Sequence, residues 1–169
     1  MYYYTQYLSP IGQLTLACNE TSLVGVWIEG QKYYGHTILK EGIRADDFPM
    51  LKKAKVWLTR YFAGERPEIS ELSLAPQGSE FQQRIWRLLC EIPYGETTTY
   101  GELAKKAAAQ MGKESMSAQA VGGAVGHNPI GIIIPCHRVL GADGSLTGYA
   151  GGMDKKRKLL EGERRKKQG

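Results

Sequence analysis

Gly131-Ile132-Ile133-Ile134-Pro135-Cys136-His137-Arg138-Val139 is the stretch around which the rest of the chain is arranged. Three consecutive isoleucines, preceded by Ile130 and closed by Pro135, predict a short strand buried on both faces. Proline has no N–H to continue a ladder, so the strand should stop there and deliver Cys136 at its end. A thiolate is the strongest soft nucleophile among the side chains, and His137 beside it can act as its base. Neighbouring residues of a regular strand point to opposite faces, so either the backbone turns at Pro135 or a water links the two side chains. Taken alone the pair is weak evidence, because a free cysteine usually behaves as a small buried hydrophobe.

The segments preceding this stretch read as helices. Ser79 with Gln82 has the spacing of a capping box, and Phe81, Ile85, Trp86, Leu88 and Leu89 form an apolar stripe that Pro93 ends. Thr99 with Glu102 reads as a second capping box, opening a helix that carries Leu103, Ala104 and Ala107 and is closed by Gly112. Ser117 caps a third, 118–126, whose side chains are small: Ala118, Ala120, Gly122, Gly123 and Ala124. Each glycine costs a helix interior roughly 1 kcal/mol relative to alanine. Tight helix packing is one explanation for the pair, and close approach of the backbone to a sugar-phosphate chain is the other. Two short helices joined by a glycine-containing turn suit a helix-turn-helix, although this connection is longer than usual.

The first half of the chain has a different pattern. Residues 2–8, 13–18 and 23–28 read as strands of an antiparallel meander with one covered face, alternating through Leu14, Leu16 and Cys18 and through Val24, Val26 and Ile28. Tyr2, Tyr3, Tyr4 and Tyr7 read as amphipathic strand residues rather than as a platform for bases. After Pro49, Leu51, Ala54, Leu58 and Tyr61 recur at helical spacing, predicting a helix that covers the sheet. Gly64 to Gly78 has the proline and polar content of a connection, which divides the chain into domains 1–77 and 78–169.

Charge is unevenly distributed. The net charge is +5. Residues 153–169 account for it, with eight cations (Lys155, Lys156, Arg157, Lys158, Arg164, Arg165, Lys166 and Lys167) against Asp154, Glu161 and Glu163, 8 − 3 = +5. The expectation from charge alone is a solvated terminal helix, with contact to a polyanion as the alternative. No apolar run approaches the roughly 20 residues of a membrane span, and the N-terminus lacks signal-peptide character, so a cytoplasmic protein is expected. Cys18, Cys90 and Cys136 argue against a disulfide framework, and Cys18, His36 and Cys90 are too scattered for a zinc site. A zinc deaminase is excluded by the absence of His-x-Glu and Pro-Cys-x-x-Cys.

Pro135 to Val139, preceded by Asn128-Pro129 and followed by Gly148-Tyr149-Ala150-Gly151-Gly152, resembles the active-site signature of the methylated-DNA-protein-cysteine methyltransferases, the O6-alkylguanine repair proteins. The likeness runs from about Ser79 to Glu163, through Tyr94-Gly95-Glu96-Thr97-Thr98-Thr99-Tyr100 and Gln119-Ala120-Val121-Gly122-Gly123-Ala124; the first half matches only in length and general pattern. It implies an α/β (α+β) fold with an N-terminal ribonuclease-H-like domain and a C-terminal winged helix-turn-helix domain. It also implies a monomer that binds double-stranded DNA through the minor groove and flips out O6-alkylguanine or O4-alkylthymine. The alkyl group would pass irreversibly to Cys136, once per molecule and without a cofactor or metal.

The residue roles carried by the resemblance are equally specific. Cys136, water, His137 and Glu163 form the reactive network, and Asn128 is a hinge between the recognition helix and the active-site strand. Tyr100, Val139, Tyr149 and Ala150 line the base pocket, while Ala120, Gly122 and Gly123 meet the groove. Gln119 takes the position of an arginine finger that fills the vacated base stack, and Ala150 replaces a serine found in some relatives. A non-enzymatic helix-turn-helix regulator and an alkyl-lesion sensor are the alternatives.

Overall fold

The computed structural model describes residues 1–31, 35–146 and 148–168, without the side chains of His36, Lys167 and Gln168. The scattered zinc candidate His36 and the cation Lys167 therefore have side chains outside the described part. The chain forms two compact units, one of residues 1–77 with 129–133, the other of 78–128 with 134–169.

The first unit is a four-stranded sheet in the order β3-β2-β1-β4, from β1 (Tyr3–Ser9), β2 (Gly12–Cys18), β3 (Leu23–Ile28) and β4 (Ile43–Arg44). The first three strands pair antiparallel as expected, and β4 adds to β1 in parallel, with Tyr3 opposite Ile43. Helix α1 (His36–Glu41) and β4 were not foreseen, since six and two residues are too short to show a period. Helix α2 (Pro49–Phe62) buries Leu51, Ala54, Leu58 and Tyr61, the stripe read from sequence, together with Trp57.

The expectation of one covered face is corrected: every residue of β3 is buried. A register shift beside Cys18 turns Val24 out of the Val26–Ile28 series and into a cluster with Ala17 and Trp27, against which Tyr2, Tyr4, Ile38, Leu39 and Ala75 pack. Gly25 lies beneath this cluster, where an added Cβ would fall 2.0 Å from the Trp27 ring. The tyrosines are structural: Tyr3 stacks on Phe48 at 4.2 Å, and Tyr7 shares a 2.8 Å hydrogen bond with Thr59.

The isoleucine run is buried as predicted, but it is not a strand. Only Ile130 makes a bridge, to Val26 of the same unit, with Val26 N–H donating to Pro129 O at 2.9 Å and Gly131 N–H to Val26 O at 3.0 Å. The chain then folds through a turn in which Ile132 has φ = 69°, a region that β-branched residues rarely adopt. The local bonds are short-range: Ile133 N–H donates to Gly131 O (2.7 Å) and Cys136 N–H to Ile134 O (2.8 Å). Ile134 O also accepts from Asn128 Nδ2 at 2.9 Å, so the groups a ladder requires are taken locally.

The second unit is helical. It contains α3 (Glu80–Leu89), α4 (Tyr100–Gln110), α5 (Ala118–Gly126) and α6 (Met153–Gln168), with a two-stranded parallel pair of β5 (Thr98–Thr99) and β6 (Val139–Leu140). Ser79, Thr99 and Ser117 cap their helices by accepting from Gln82, Glu102 and Ala120 N–H; Ser79 with Gln82 completes its capping box, whereas the box expected of Thr99 is half-formed, the Glu102 carboxylate pairing with Lys105 at 3.6 Å instead. Trp86 of α3 donates its indole N–H to Ala124 O of α5 at 2.8 Å, fixing the two helices together. No helix among the described residues is long and apolar enough to cross a membrane.

Candidate active site

Cys136 and His137, the residues expected to react, lie in a single 3₁₀ turn, Cys136–Arg138, between Pro135 and β6. The backbone does turn at Pro135, so the strand alternation that would send the two side chains to opposite faces does not hold here. Cys136 is 7 % exposed and His137 fully enclosed. On α6, Lys156, Leu159, Leu160 and Glu163 follow at i, i+3, i+4 and i+7 and are all buried, so one face of the helix carries a cation, two leucines and a carboxylate into the unit. The solvated terminal helix expected from charge is corrected there: Lys156 is 0 % exposed. Its ammonium donates to Val139 O at 2.5 Å and lies 6.0 Å from the Tyr100 ring centre.

Glu163 is the hub. Its Oε2 accepts from His137 Nε2 at 2.6 Å and from Arg138 Nη2 at 3.1 Å, while Oε1 accepts from Arg138 Nε at 2.8 Å and Gly95 N–H at 3.1 Å. Arg138 places its remaining arm on Ile92 O at 2.7 Å and stacks 5.6 Å from the Tyr94 ring centre. A carboxylate only accepts, so His137 carries its proton on Nε2 and keeps a lone pair on Nδ1. That nitrogen is buried and has no hydrogen-bond partner among the described residues.

Electrostatics set the resting protonation states. Burial pushes the Cys136 thiol up, while a hydrogen bond from Asn128 and the Lys156 charge pull it part of the way back. Burial lowers His137, and Arg138 and Lys156 add to the effect against the pull of Glu163. For Glu163 burial acts upward, but the bonds from His137 and Arg138 outweigh it and hold the carboxyl well below the usual range. Lys156 is brought down to about 8, chiefly by burial. The hydroxyl of half-buried Tyr149 is raised well above its ordinary value by burial, then by Cys136 and Glu163. Both directions favour a thiol and a neutral imidazole over their ions at neutral pH. Among the described residues no three His, Cys, Asp or Glu side chains gather as a metal cage.

Residues 80–165 match the DNA-binding domain of 6-O-methylguanine DNA methyltransferase, and residues 2–76 match the ribonuclease-like domain of the same proteins. The methylated-DNA–protein-cysteine methyltransferase of Haemophilus influenzae is 43 % identical over 162 residues, covering 96 % of this chain and 86 % of the relative. That of Mycolicibacterium paratuberculosis is 49 % identical over 158 residues, covering 93 % and 89 %. The chain belongs to the 6-O-methylguanine DNA methyltransferase family. Its ribonuclease-like sheet domain and helical DNA-binding domain are those of the family. Mycobacterium tuberculosis OGT, solved in complex with DNA, superposes with a TM-score of 0.84 at 43 % identity, over 97 % of this chain and 94 % of that one. The match through residues 2–76 exceeds the general likeness that sequence inspection found in the first half.

In this family member, the residues expected at the site fall into two groups. Cys136, His137, Asn128, Val139 and Glu163 are buried together in the second unit, and Tyr100, Tyr149 and Ala150 are half-exposed; an added Cβ on Gly148 would sit 3.0 Å from the Tyr100 hydroxyl. On α5, Gln119, Ala120 and Gly123 are exposed and Gly122 half-exposed. The two explanations for the glycines now separate. A Cβ on Gly123 or Gly126 would meet nothing within 4 Å, and one on Gly122 only the Tyr100 ring at 3.8 Å, so packing within the chain requires none of them. Arg138 and Lys156 were missed. Both stand in stretches quoted from the sequence, but a charged residue read by composition is assigned to solvent. The signal for Lys156 was its place one turn before Leu159-Leu160 and two before Glu163.

Proposed function

We propose that this protein binds duplex DNA through the minor groove as a monomer, extrudes O6-alkylguanine or O4-alkylthymine, and moves the alkyl group irreversibly onto Cys136. His137 Nδ1 takes the thiol proton through a water, and Glu163 fixes the ring by accepting from Nε2. The thiolate attacks the alkyl carbon; the carbon–oxygen bond breaks, its electron pair leaves with the base oxygen, and the proton held on His137 returns to the base. The product is a thioether, whose carbon–sulfur bond neither water nor a thiol readily cleaves, so each molecule acts once, with no cofactor, on chromosomal DNA in the cytoplasm.

The observation that carries this reading is the buried 2.6 Å bond between His137 and Glu163, which leaves the Nδ1 lone pair of the residue following the cysteine without a partner among the described residues. Asn128 is the hinge, linking the end of α5 to Ile134 O, two residues ahead of the nucleophile. Tyr100, Val139, Tyr149 and Ala150 form the pocket; Ala120, Gly122 and Gly123 meet the groove, and Gln119 fills the gap left by the base. A lesion sensor or regulator has no use for this proton path. Titration of a methylated duplex decides: repaired lesions should reach a plateau at one per protein, and either continued turnover or binding without transfer would overturn the assignment.

A further inference from the structure

The proposed transfer requires His137 to be neutral before the thiol proton moves. A carboxylate 2.6 Å from an imidazole in a dry enclosure tends to draw a proton onto the ring, leaving an ion pair and no base. Here the carboxylate is not alone. A carboxylate offers about four lone-pair sites. Among the bonds to Glu163 are those from Arg138 Nε and Gly95 N–H on one oxygen and from His137 Nε2 and Arg138 Nη2 on the other. The guanidinium cannot lose its proton, and its third arm is fixed to Ile92 O at 2.7 Å. With neutral His137, Arg138 and Glu163 sum to zero charge. Protonating the ring would add an unmatched cation to an enclosure that also holds Lys156.

We propose that Arg138 is a positioning residue for the transfer: by clasping both oxygens of Glu163 it keeps His137 a neutral base with its Nδ1 lone pair available. The inference rests on the reading of Cys136 and His137 as nucleophile and base. When the thiol proton passes to Nδ1, thiolate and imidazolium appear together, so the summed charge of Cys136, His137, Arg138 and Glu163 is zero before and after. Without Arg138, Glu163 loses the cation that clasps both its oxygens, and a proton from solvent on His137 would supply a charged partner in its place. Among the described residues, Glu163 and Lys156 of α6 and Arg138 of its own turn act on the ring, while Cys136 faces Lys156 and the Tyr149 hydroxyl faces Cys136 and Glu163. Burial and Arg138 both act to lower His137, in the direction the charge balance requires.

The test uses the full chain with isotope-labelled histidine, following the imidazole nitrogens of His137 by NMR against pH, beside the alkyl-transfer rate on methylated duplex. Wild-type His137 should remain neutral, with its proton on Nε2, at pH 7. In Arg138→Met it should be imidazolium at pH 7, and the acidic limb of the rate profile should move up by about one pH unit or more. Arg138→Lys, which keeps a charge but loses the fork, should fall between. An imidazolium in the wild type at pH 7 overturns the proposal. So does a folded Arg138→Met whose limb stays in place while its rate falls equally at every pH. Should Arg138→Met not fold, the wild-type and Arg138→Lys titrations still decide. Alkylation mapped to a residue other than Cys136 would instead overturn the reading of the nucleophile, which the nitrogen titration does not depend on.

Discussion

Gly123→Ala should make the protein more stable and worse at repair. The residue lies in the interior of α5, and an added Cβ meets nothing within 4 Å. Its carbonyl accepts from His127 N–H at 3.2 Å, a bond alanine keeps. The substitution therefore recovers the helix preference of alanine over glycine, about 1 kcal/mol. For a chain of this length that corresponds to roughly 2–4 °C in Tm. If the exposed face of α5 is where DNA approaches, the methyl group stands between backbone and duplex, and overpacking of this kind costs about 1–3 kcal/mol. Affinity should fall by about 5- to 150-fold. Calorimetry gives the first quantity, fluorescence anisotropy with a lesion-bearing duplex the second, and reaction with free O6-benzylguanine serves as a control that needs no duplex. A variant that is more stable yet binds duplex as the wild type does would refute the reasoning. Gly126→Ala is the second probe, whereas alanine at position 122 would touch Tyr100 and confound the result.

Gln119→Ala should slow repair of duplex far more than reaction with the free base, and Gln119→Arg should restore or raise it, because extrusion costs a few kcal/mol that an inserted side chain offsets; equal slowing on both substrates would remove the finger role. Replacing exposed Arg164 and Arg165 with serine should flatten the dependence of duplex affinity on salt while leaving lesion preference unchanged, and unaltered slopes would show that these cations do not meet phosphate. Glu163 has a depressed folded pKa, so its stabilisation is fully present above its unfolded value of about 4.3 and lost as pH falls towards the folded one. Chemical denaturation between pH 7 and 3 should show this loss in the wild type. Glu163→Gln should be less stable at neutral pH by about 3–5 kcal/mol, from an uncompensated Arg138, and should lack most of that acid slope.

What was legible in the sequence follows the range of the interactions. The caps at Ser79, Thr99 and Ser117 are agreements between residues three apart, and all three were readable because nothing distant takes part. The burial of Ile130 to Ile134 was readable, since composition reports burial, but its backbone was not. Whether that run pairs as a strand depends on who takes the Ile134 carbonyl, and Asn128 does so from across the turn. Val24 left its expected face through a bulge that no alternation pattern reveals. The pairing of His137 with Glu163 came from the family likeness alone, because 26 residues separate them and no local rule connects them. Arg138 and Lys156 became visible only with coordinates: a buried cation is justified by its partners, and these lie on other elements.

Transfer of the alkyl group to one particular sulfur is the step on which the whole mechanism turns. Mass spectrometry of the intact protein, followed by peptide mapping, after one equivalent of duplex bearing O6-methylguanine identifies that sulfur. The expected result is a gain of one methylene equivalent, all of it on Cys136, and no gain in Cys136→Ala. Methylation of Cys18 or Cys90, with repair preserved in Cys136→Ala, would contradict it.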